Sequence, residues 1–435
     1  MTTQTSAITS KLVQTDSALR NVSYKLPVTF LILTLILFFF GFEASGDTRF
    51  RLNDKSQAVS IPDFSLPGST TLFILAAAML VLTAWSFYSN VFQAQSGNLN
   101  KRINTLSAVF AGLIVIFGLM VFSGAGSSSA VTLTSVLIST VAISTPLIFG
   151  SLSGVICERV GVVNIAIEGQ LLIGAFAGVM AASYFKTPLL GLIAAPIAGA
   201  FIGSLLALFS VRYGVDQIVV GVVLNVLALG LTAFFAGTVM SANQELFNTN
   251  QYSLHPIKIP VLADIPIIGP VLFNQTILVY IMYVVVAVLT VYLFNSRWGL
   301  RMRACGEHPK AADTVGINVN RTRIRNTILG GSLAGLGGAF FTIGSGLTFT
   351  SNMSAGNGYI ALAAMILGKW HPIGALFAAI MFGFAKAFAL LMPSLTTAIP
   401  SQLVNMIPYI VTIIAVAGFV GKSRPPAAEN IPYLK

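Results

Sequence analysis

Long apolar runs separated by short polar stretches dominate this chain. An α-helix needs roughly 20 apolar residues to cross a bilayer. Read on that basis, the pattern predicts helices at 26–42, 71–88, 103–122, 134–154, 163–184, 189–211, 218–240, 276–294, 327–347, 358–368, 373–391 and 403–420. The pattern therefore predicts an all-α, polytopic membrane protein.

Two stretches depart from the simple pattern. The run at 358–368 is too short to span a bilayer, so we interpret it as a half-helix or a broken span. The region 142–170 is irregular because charged and amide side chains interrupt its apolar residues.

Glycines recur four residues apart in several predicted helices. Such spacing lets helix backbones approach closely in lipid. We interpret these glycines as packing residues: Gly150/Gly154, Gly199/Gly203 and Gly331/Gly335.

Composition agrees with a membrane protein. Hydrophobic residues make up 55% of the chain and charged residues only 9%, against about 25% charged in soluble domains. The formal net charge of +11 would suggest nucleic acid in a soluble protein, but here the basic residues cluster in short loops between apolar runs. The two cysteines, Cys157 and Cys305, suggest no disulfide framework.

The basic residues also predict the orientation. With the N-terminus inside, most of them fall on the inner side, and the outer side receives only Arg49, Arg51, Lys55, Lys186 and Lys258. Because inner loops carry the excess of Lys and Arg, both termini and the loop 295–326 are predicted to be cytoplasmic. The loop 241–275 is predicted to be external.

The inner loop contains a short amphipathic piece, Pro309 to Val315, followed by Gly316. Pro suits the first turn of a helix, and Gly suits its C-terminal cap. A short cytoplasmic helix between two spans is either a docking element or part of a basic loop that only sets orientation. Spacing alone leaves both interpretations open.

The residues of this loop carry a family resemblance. The pattern Gly306-Glu307-x-Pro309-x-Ala311-Ala312-x-x-x-Gly316-Ile317 resembles the coupling-helix loop of ABC importer permeases. Three further stretches, beginning at Glu158, Gly358 and Gln402, resemble motifs of the same family in the same order. Over roughly 134–430 the chain is similar to permeases for simple sugars, nucleosides and branched-chain amino acids. It is most similar to the smaller permease subunit of nucleoside importers. One departure is Lys386, where the family often has an acid.

The resemblance implies a type II ABC importer transmembrane domain with an inverted-repeat core. We expect an N-terminal extension of about three helices over 1–130, a permease core over 131–425 and a cytoplasmic tail over 426–435. Implied partners are a second permease subunit in a heterodimer, a cytosolic ABC ATPase and an external substrate-binding lipoprotein. The chain itself would hold no cofactor, since the partner binds ATP. The implied location is the bacterial plasma membrane. The implied ATPase-coupling residues are Gly306, Glu307, Pro309, Ala311, Ala312 and Gly316.

Polar side chains inside apolar runs are the candidate substrate path. A charge at the bilayer centre costs about 2.5–3.5 kcal/mol on insertion scales, so Glu168 should face a cavity or a partner. The other candidates are Asn164, Gln170, Asn225 and Asn357. Structural alternatives remain open. Glu168 would pair with Arg159 near the inner surface, and Asn225 would bond neighbouring helices together.

The sequence contains no nucleophilic or metal-binding constellation. His255, His308 and His371 lack metal-ligand spacing. Gly421-Lys422-Ser423 mimics the end of a phosphate-binding loop, but Val416 stands where its first glycine belongs. We therefore predict a transport protein and not an enzyme, with nucleosides as cargo. A simple-sugar ABC permease and an ion-coupled secondary transporter are the alternatives.

Overall fold

The computed structural model describes residues 24–52, 62–96, 101–127, 130–395, 402, 406, 408–409 and 424–433. Within those residues, nine helices are long and apolar enough to cross a membrane. The predicted span at 403–420, apart from isolated positions, and the stretch Gly421-Lys422-Ser423 lie outside the described residues. The chain divides into two compact units, Met1–Leu133 with Leu391–Val404, and Thr134–Leu390 with Asn405–Lys435.

The first unit contains three long helices and a small sheet. The helices are α1 (Lys25–Glu43), α2 (Gly68–Ser96) and α3 (Lys101–Gly124), and the strands are β1 (Asp47–Arg51), β2 (Phe64–Pro67) and β3 (Val131–Thr132). Strand β1 lies between the other two, antiparallel to β2 and parallel to β3. The buried Thr48 hydroxyl on β1 donates to the Val121 carbonyl at 2.6 Å, which ties the sheet to α3.

The second unit is a helical assembly. Its helices are α4 (Leu133–Arg159), α5 (Ile167–Tyr184), α6 (Pro188–Ala207), α7 (Gln217–Phe235), α8 (Gln244–Phe247), α9 (Ile268–Phe273), α10 (Ile277–Asn295), α11 (Arg297–Glu307), α12 (Pro309–Thr314), α13 (Val319–Gly338), α14 (Asn357–Leu367) and most of α15 (Pro372–Leu395). Five-residue π turns extend α6 and α7 at Leu208–Arg212 and Ala236–Met240, and 3₁₀ turns lie at Leu262–Asp264 and Ala339–Phe341. A two-stranded antiparallel pair joins β4 (Pro256–Lys258) to β5 (Asn274–Thr276).

Most predicted helices are present, with two differences. The short strands were not predicted, because these polar loop segments pair only when the fold brings them side by side. The predicted span 327–347 was wrong: the helix there, α13, covers Val319–Gly338 and is not among the nine helices found apolar enough to cross a membrane. The observed helix α13 begins at Val319 because the Asn318 side chain accepts a hydrogen bond from the Arg321 amide at 2.9 Å and caps the helix.

The predicted half-helix is confirmed. Helix α14 has 11 residues and is apolar but too short to cross a bilayer. It begins after Gly356, whose φ is +80°, and it is followed by Lys369 and Trp370, which both have positive φ. These left-handed residues turn the chain at both ends of the helix, and α15 starts at Pro372 immediately afterwards.

The packing interpretation of the glycine pairs is also confirmed. A Cβ atom added at Gly199 on α6 would lie 2.6 Å from the Cα atom of Gly335 on α13. A Cβ atom at Gly331 would lie 2.8 Å from the Cα atom of Gly203. Contact distances below 3 Å leave no room for any side chain, so α6 and α13 meet backbone to backbone.

Candidate functional site

The chain between α4 and α5 breaks the helical pattern and is held by a buried amide pair. Asn164 Nδ2 donates to Gln170 Oε1 at 3.0 Å, and Gln170 Nε2 donates back to Asn164 Oδ1 at 3.2 Å. Asn164 also donates to the Ser153 hydroxyl at 3.0 Å. Both amides are fully buried, so this network satisfies the polar groups of the break. In this conformation both side chains are packing elements of the interior. Their predicted role in the path stays a prediction.

Glu168 lies in the first turn of α5 and binds the N-terminal end of the half-helix α14. Its Oε1 accepts hydrogen bonds from the Ser354 hydroxyl at 2.6 Å and the Gly356 amide at 2.8 Å. Its Oε2 accepts from the Gly358 amide at 2.6 Å. A helix N-terminus offers free N–H groups and the positive end of the dipole, so it suits a carboxylate. Glu168 therefore has the half-helix as its partner.

The alternative pairing of Glu168 with Arg159 does not occur. Arg159 lies at the opposite end of the half-helix, where its Nε donates to the Trp370 carbonyl at 2.9 Å and its Nη2 to the Lys369 carbonyl at 3.3 Å. Trp370 in turn donates its indole N–H to Glu158 Oε2 at 2.5 Å. The last residues of α4 therefore hold the C-terminal end of α14, and Glu168 holds its N-terminal end.

Asn357 connects the half-helix to a cation that sequence reasoning did not assign. Its Nδ2 donates to the Ser354 carbonyl at 2.6 Å, and its Oδ1 accepts from the Lys386 ammonium on α15 at 2.8 Å. Lys386 is half-buried. Its long side chain reaches the half-helix only because α15 follows α14 after a tight turn. This spatial relation has no signature in the sequence.

Asn225 on α7 bonds to the start of α5. Its Oδ1 accepts from the Gly169 amide at 2.8 Å, and its Nδ2 donates to the Ile165 carbonyl at 2.9 Å. The same Nδ2 lies 3.4 Å from the hydroxyl of Tyr359 on the half-helix. The structure thus gathers Glu168, Asn225 and Asn357 around the N-terminal end of α14.

The predicted amphipathic piece in the basic loop is helix α12. It begins at Pro309 and ends before Gly316, which has a φ of +84°. The Gly316 amide donates to the Asp313 carbonyl and the Ile317 amide to the Ala312 carbonyl, each at 3.0 Å. Such a left-handed glycine cap closes the helix. Ala312 is buried beneath it.

The outer face of α12 is open. Lys310, Ala311 and Gly316 are exposed, and Val315 is 74% exposed.

The start of this loop rests on the end of α4. A Cβ atom at Gly306 would collide with the backbone carbonyl of Arg159, so only glycine fits there. The C-terminal segment also attaches here, with the Ala428 amide donating to the Gly306 carbonyl at 2.8 Å and the Ala427 amide to Glu307 Oε2 at 3.3 Å. The stretches that begin at Glu158, Gly306 and Gln402, which resemble three separate family motifs, therefore meet at the end of α4.

A buried arginine fastens the C-terminal segment. The Arg323 guanidinium donates to the carbonyls of Val160 at 3.2 Å, Ala428 at 3.3 Å and Ile431 at 2.7 Å. Beside it, burial raises the pKa of the Glu429 carboxyl to about 7. The carboxyl groups of Glu158 and Glu429 interact, so the segment closes over the end of α4. Nearby, burial and then the charge of Arg159 lower the pKa of His371.

The described residues offer no metal centre. Among them, no group of three or more His, Cys, Asp and Glu side chains is arranged to hold a metal ion. Cys157 and Cys305 are both buried free thiols.

Comparison with known proteins identifies the family of the core. The sequence model of the family described as the permease component of the branched-chain amino acid transport system matches residues 136–416. No solved structure matches the chain.

Three relatives are informative. The chain is 40% identical to the guanosine ABC transporter permease protein NupQ of Bacillus subtilis, over 68% of this chain and 95% of the relative. It is 40% identical to the nucleoside ABC transporter permease protein NupC of Lactococcus lactis, over 67% of this chain and 94% of the relative. The guanosine ABC transporter permease protein NupP of Bacillus subtilis is 27% identical over 63% of this chain and 79% of the relative.

Proposed function

This chain belongs to the family of permease components of the branched-chain amino acid transport type, and on that premise we propose that it forms the translocation path of an ATP-driven importer of nucleosides. It is a multi-pass membrane protein that transports and does not catalyse. The observation that carries the proposed cargo is its similarity, over nearly their whole lengths, to two relatives named for nucleoside and guanosine transport.

The exposed α12 is the element that we assign to ATPase docking. Its buried side, at Ala312, anchors it to the protein, and its open side presents Lys310, Ala311 and Val315. The glycine cap at Gly316 fixes where the helix ends and how the chain returns to α13. We assign ATP binding to the partner subunit. Movements of that subunit during ATP hydrolysis would therefore reach this chain through α12.

A continuous set of contacts leads from this loop to the half-helix. Gly306 packs against the Arg159 carbonyl, and the Arg159 side chain bonds to the backbone after α14. A displacement of α12 would therefore pull on one end of the half-helix while Glu168 holds the other. Closely packed elements transmit such shifts because protein interiors are not readily compressible.

The polar groups at the N-terminal end of α14 are our candidate for the transit site. Half-helix ends in transporters lie beside the cargo. Here Glu168 already binds the Gly356 and Gly358 amides, so side chains would supply the contacts. A nucleoside is mostly neutral and offers hydroxyls and a base edge, which the ammonium of Lys386 and the hydroxyl of Tyr359 can match. The buried Asn357 side chain supports this site by binding the Lys386 ammonium. Glu168 acts through the half-helix, since its oxygens already accept three hydrogen bonds from that segment.

The remaining assignments follow from the ABC class of the relatives. We propose a cytosolic ABC ATPase, an external substrate-binding lipoprotein and a second permease subunit as partners. The similarity to both NupQ and NupP of Bacillus subtilis supports a heterodimer of related permeases. The bacterial plasma membrane with both termini inside is our proposed location, supported by the excess of basic residues in the predicted inner loops.

The cargo is tested by uptake. Cells that lack their own nucleoside importers would express this chain with its partner subunits and receive labelled guanosine, uridine or glucose. We expect uptake of nucleosides, competition by unlabelled nucleosides and loss of uptake when the ATPase subunit is inactivated. Uptake of glucose alone would replace the proposal with a sugar permease. Uptake that an ionophore abolishes and ATPase loss spares would indicate an ion-coupled carrier.

The coupling assignment predicts that Gly316→Leu lowers uptake by about tenfold while the protein stays in the membrane. A leucine at a positive φ is strained by about 1–2 kcal/mol, which displaces the end of α12. Glu307→Ala should weaken coupling too, since it removes the acceptor for the Ala427 amide. Gly230→Leu on α7 is the matched control, because it makes the same change at an exposed glycine outside the loop, where a Cβ atom meets no atom within 4 Å. Near-normal uptake in both test variants would contradict the coupling role and would mean that the loop only sets the orientation of the protein.

The proposed orientation is tested with introduced cysteines. Asn250 and Val315 are both exposed, and the native cysteines are buried. In intact cells an impermeant maleimide should label an Asn250→Cys variant and spare a Val315→Cys variant, which reacts only after permeabilisation. The opposite pattern would reverse the topology.

A further inference from the structure

A cavity of about 850 Å³ lies between α11 and α13 and is lined by four arginines. Arg297 and Arg301 are four residues apart on α11, and Arg321 and Arg325 are four residues apart on α13. Residues at this spacing share a helix face, and like charges there repel each other. Each helix thus carries a pair of arginines that repel each other beside the same cavity. A bound anion would offset this repulsion.

The four guanidinium groups are free to bind an anion. All four side chains are exposed, and the structure shows no ion pair for any of them within its described residues. One acid, Asp313, lies in the adjoining cavity that Arg321 and Arg325 also line. A single carboxylate leaves the positive charge of the group largely uncompensated.

Apolar side chains from both helices complete the lining of the cavity. Along α13, Leu329 comes one turn after Arg325, and it is 41% exposed. On α11, Trp298 is 59% exposed and lies beneath Arg301, whose guanidinium carbon is 5.8 Å from the ring centre. A tryptophan beside cations is typical of the level of lipid headgroups.

The position of α11 places the cavity at that level. The apolar span α10 ends at Asn295, and the Ser296 hydroxyl caps α11 by accepting from the Gly299 amide at 3.0 Å. The amphipathic helix α11 therefore starts where the span leaves the bilayer. A ligand here meets arginines together with exposed apolar side chains, a combination that a soluble anion does not need.

We propose that this cavity binds the phosphate headgroup of an anionic phospholipid, with its acyl chains along Trp298 and Leu329. Basic pockets between membrane helices bind such headgroups through the same combination of charge and depth. The cavity also touches Val315, Gly316 and Ile317 at the end of α12, so the lipid would contact the proposed coupling loop. The lipid site stands independently of the cargo and of the orientation.

The test is lipid retention by the purified transporter, measured by native mass spectrometry with added phosphatidylglycerol or phosphatidylcholine. The wild-type protein should retain phosphatidylglycerol preferentially, and Arg321→Gln with Arg325→Gln should weaken that binding by about 30-fold, or about 2 kcal/mol at about 1 kcal/mol per cation. Arg321→Lys with Arg325→Lys should keep most of the preference. The matched control is Arg49→Gln with Arg424→Gln, which removes two exposed cations outside the cavity. This control should leave the retention of phosphatidylglycerol unchanged.

Three outcomes would overturn the proposal. The first is equal retention of both lipids by the wild-type protein, or an equal loss in the control. The second is displacement of the lipid by inorganic phosphate, which would indicate a soluble anion. The third is loss of the ATPase subunit from the Arg321→Gln, Arg325→Gln complex with unchanged lipid retention, which would make the cavity a protein-docking face.

Discussion

Exchanging Glu168 for glutamine should lower nucleoside uptake by at least about tenfold, although only one oxygen becomes an amide nitrogen. Both carboxylate oxygens accept hydrogen bonds at the start of the half-helix. A glutamine must direct its NH₂ group at one of those donors, and the lost charge-assisted bond alone costs about 1.5–3 kcal/mol. The half-helix would then lose its anchor, and the protein should also melt at a lower temperature.

The readouts are initial uptake rate at equal membrane amounts and thermal stability in detergent. Glu245→Gln is the matched control, because it makes the same chemical change at an exposed glutamate on α8. If Glu168 acts through the half-helix, uptake of all nucleosides should fall alike. A selective rise in KM for one nucleoside at unchanged stability would instead place the carboxylate in contact with cargo. Normal uptake at normal expression would contradict both roles.

Replacing Gly335 with alanine should destabilise the second unit severely, with far less folded protein in the membrane. The new methyl carbon would lie 2.7 Å from the Cα atom of Gly199, and closer still to the Ala195 carbonyl. These are backbone atoms, so the only relief is to separate α6 from α13. Forcing extra atoms into a packed core typically costs about 1–3 kcal/mol, and a helix crossing without free space lies at the upper end.

Gly230→Ala on α7 is the matched control for this change. A Cβ atom there meets no atom within 4 Å, so the substitution should be neutral or slightly stabilising. Fluorescence-detected size-exclusion chromatography of both variants, followed by thermal unfolding, measures the difference. Equal yields and melting temperatures for the two would mean that α6 and α13 are not packed backbone to backbone.

The predicted site residues differ in whether they hydrogen-bond to a nearby or a distant part of the chain, and the sequence does not show this difference. Glu168 and Asn164 stood out for the same reason, as polar groups inside an apolar run. In the structure Glu168 binds an element almost 200 positions away in the chain, and Asn164 pairs with Gln170 six positions away. Whether a buried polar group bonds locally or to a distant segment depends on which helices become neighbours.

Two further contacts could not be predicted from the sequence. Lys386 appeared only as a departure from a family pattern, and its bond to Asn357 arises because α15 folds back beside α14. Arg159 and Trp370 belonged to separate motifs, and their meeting at the end of the half-helix required the positive φ angles of Lys369 and Trp370. A hydrogen bond between residues far apart in the sequence can be identified only when the tertiary structure gives the positions of both residues.

The amino-acid sequence by itself determined that this protein lies in a membrane, where most of its long apolar helices lie, where the half-helix begins and ends, and where glycines allow close packing. These properties follow from local composition and spacing, because burial in lipid depends on about 20 consecutive side chains. The tertiary structure alone decided that Glu168 holds the half-helix, that the coupling loop rests on Arg159, and that four arginines share one cavity. Those arrangements join distant segments, and the free energy that selects them comes from packing of the whole helical assembly.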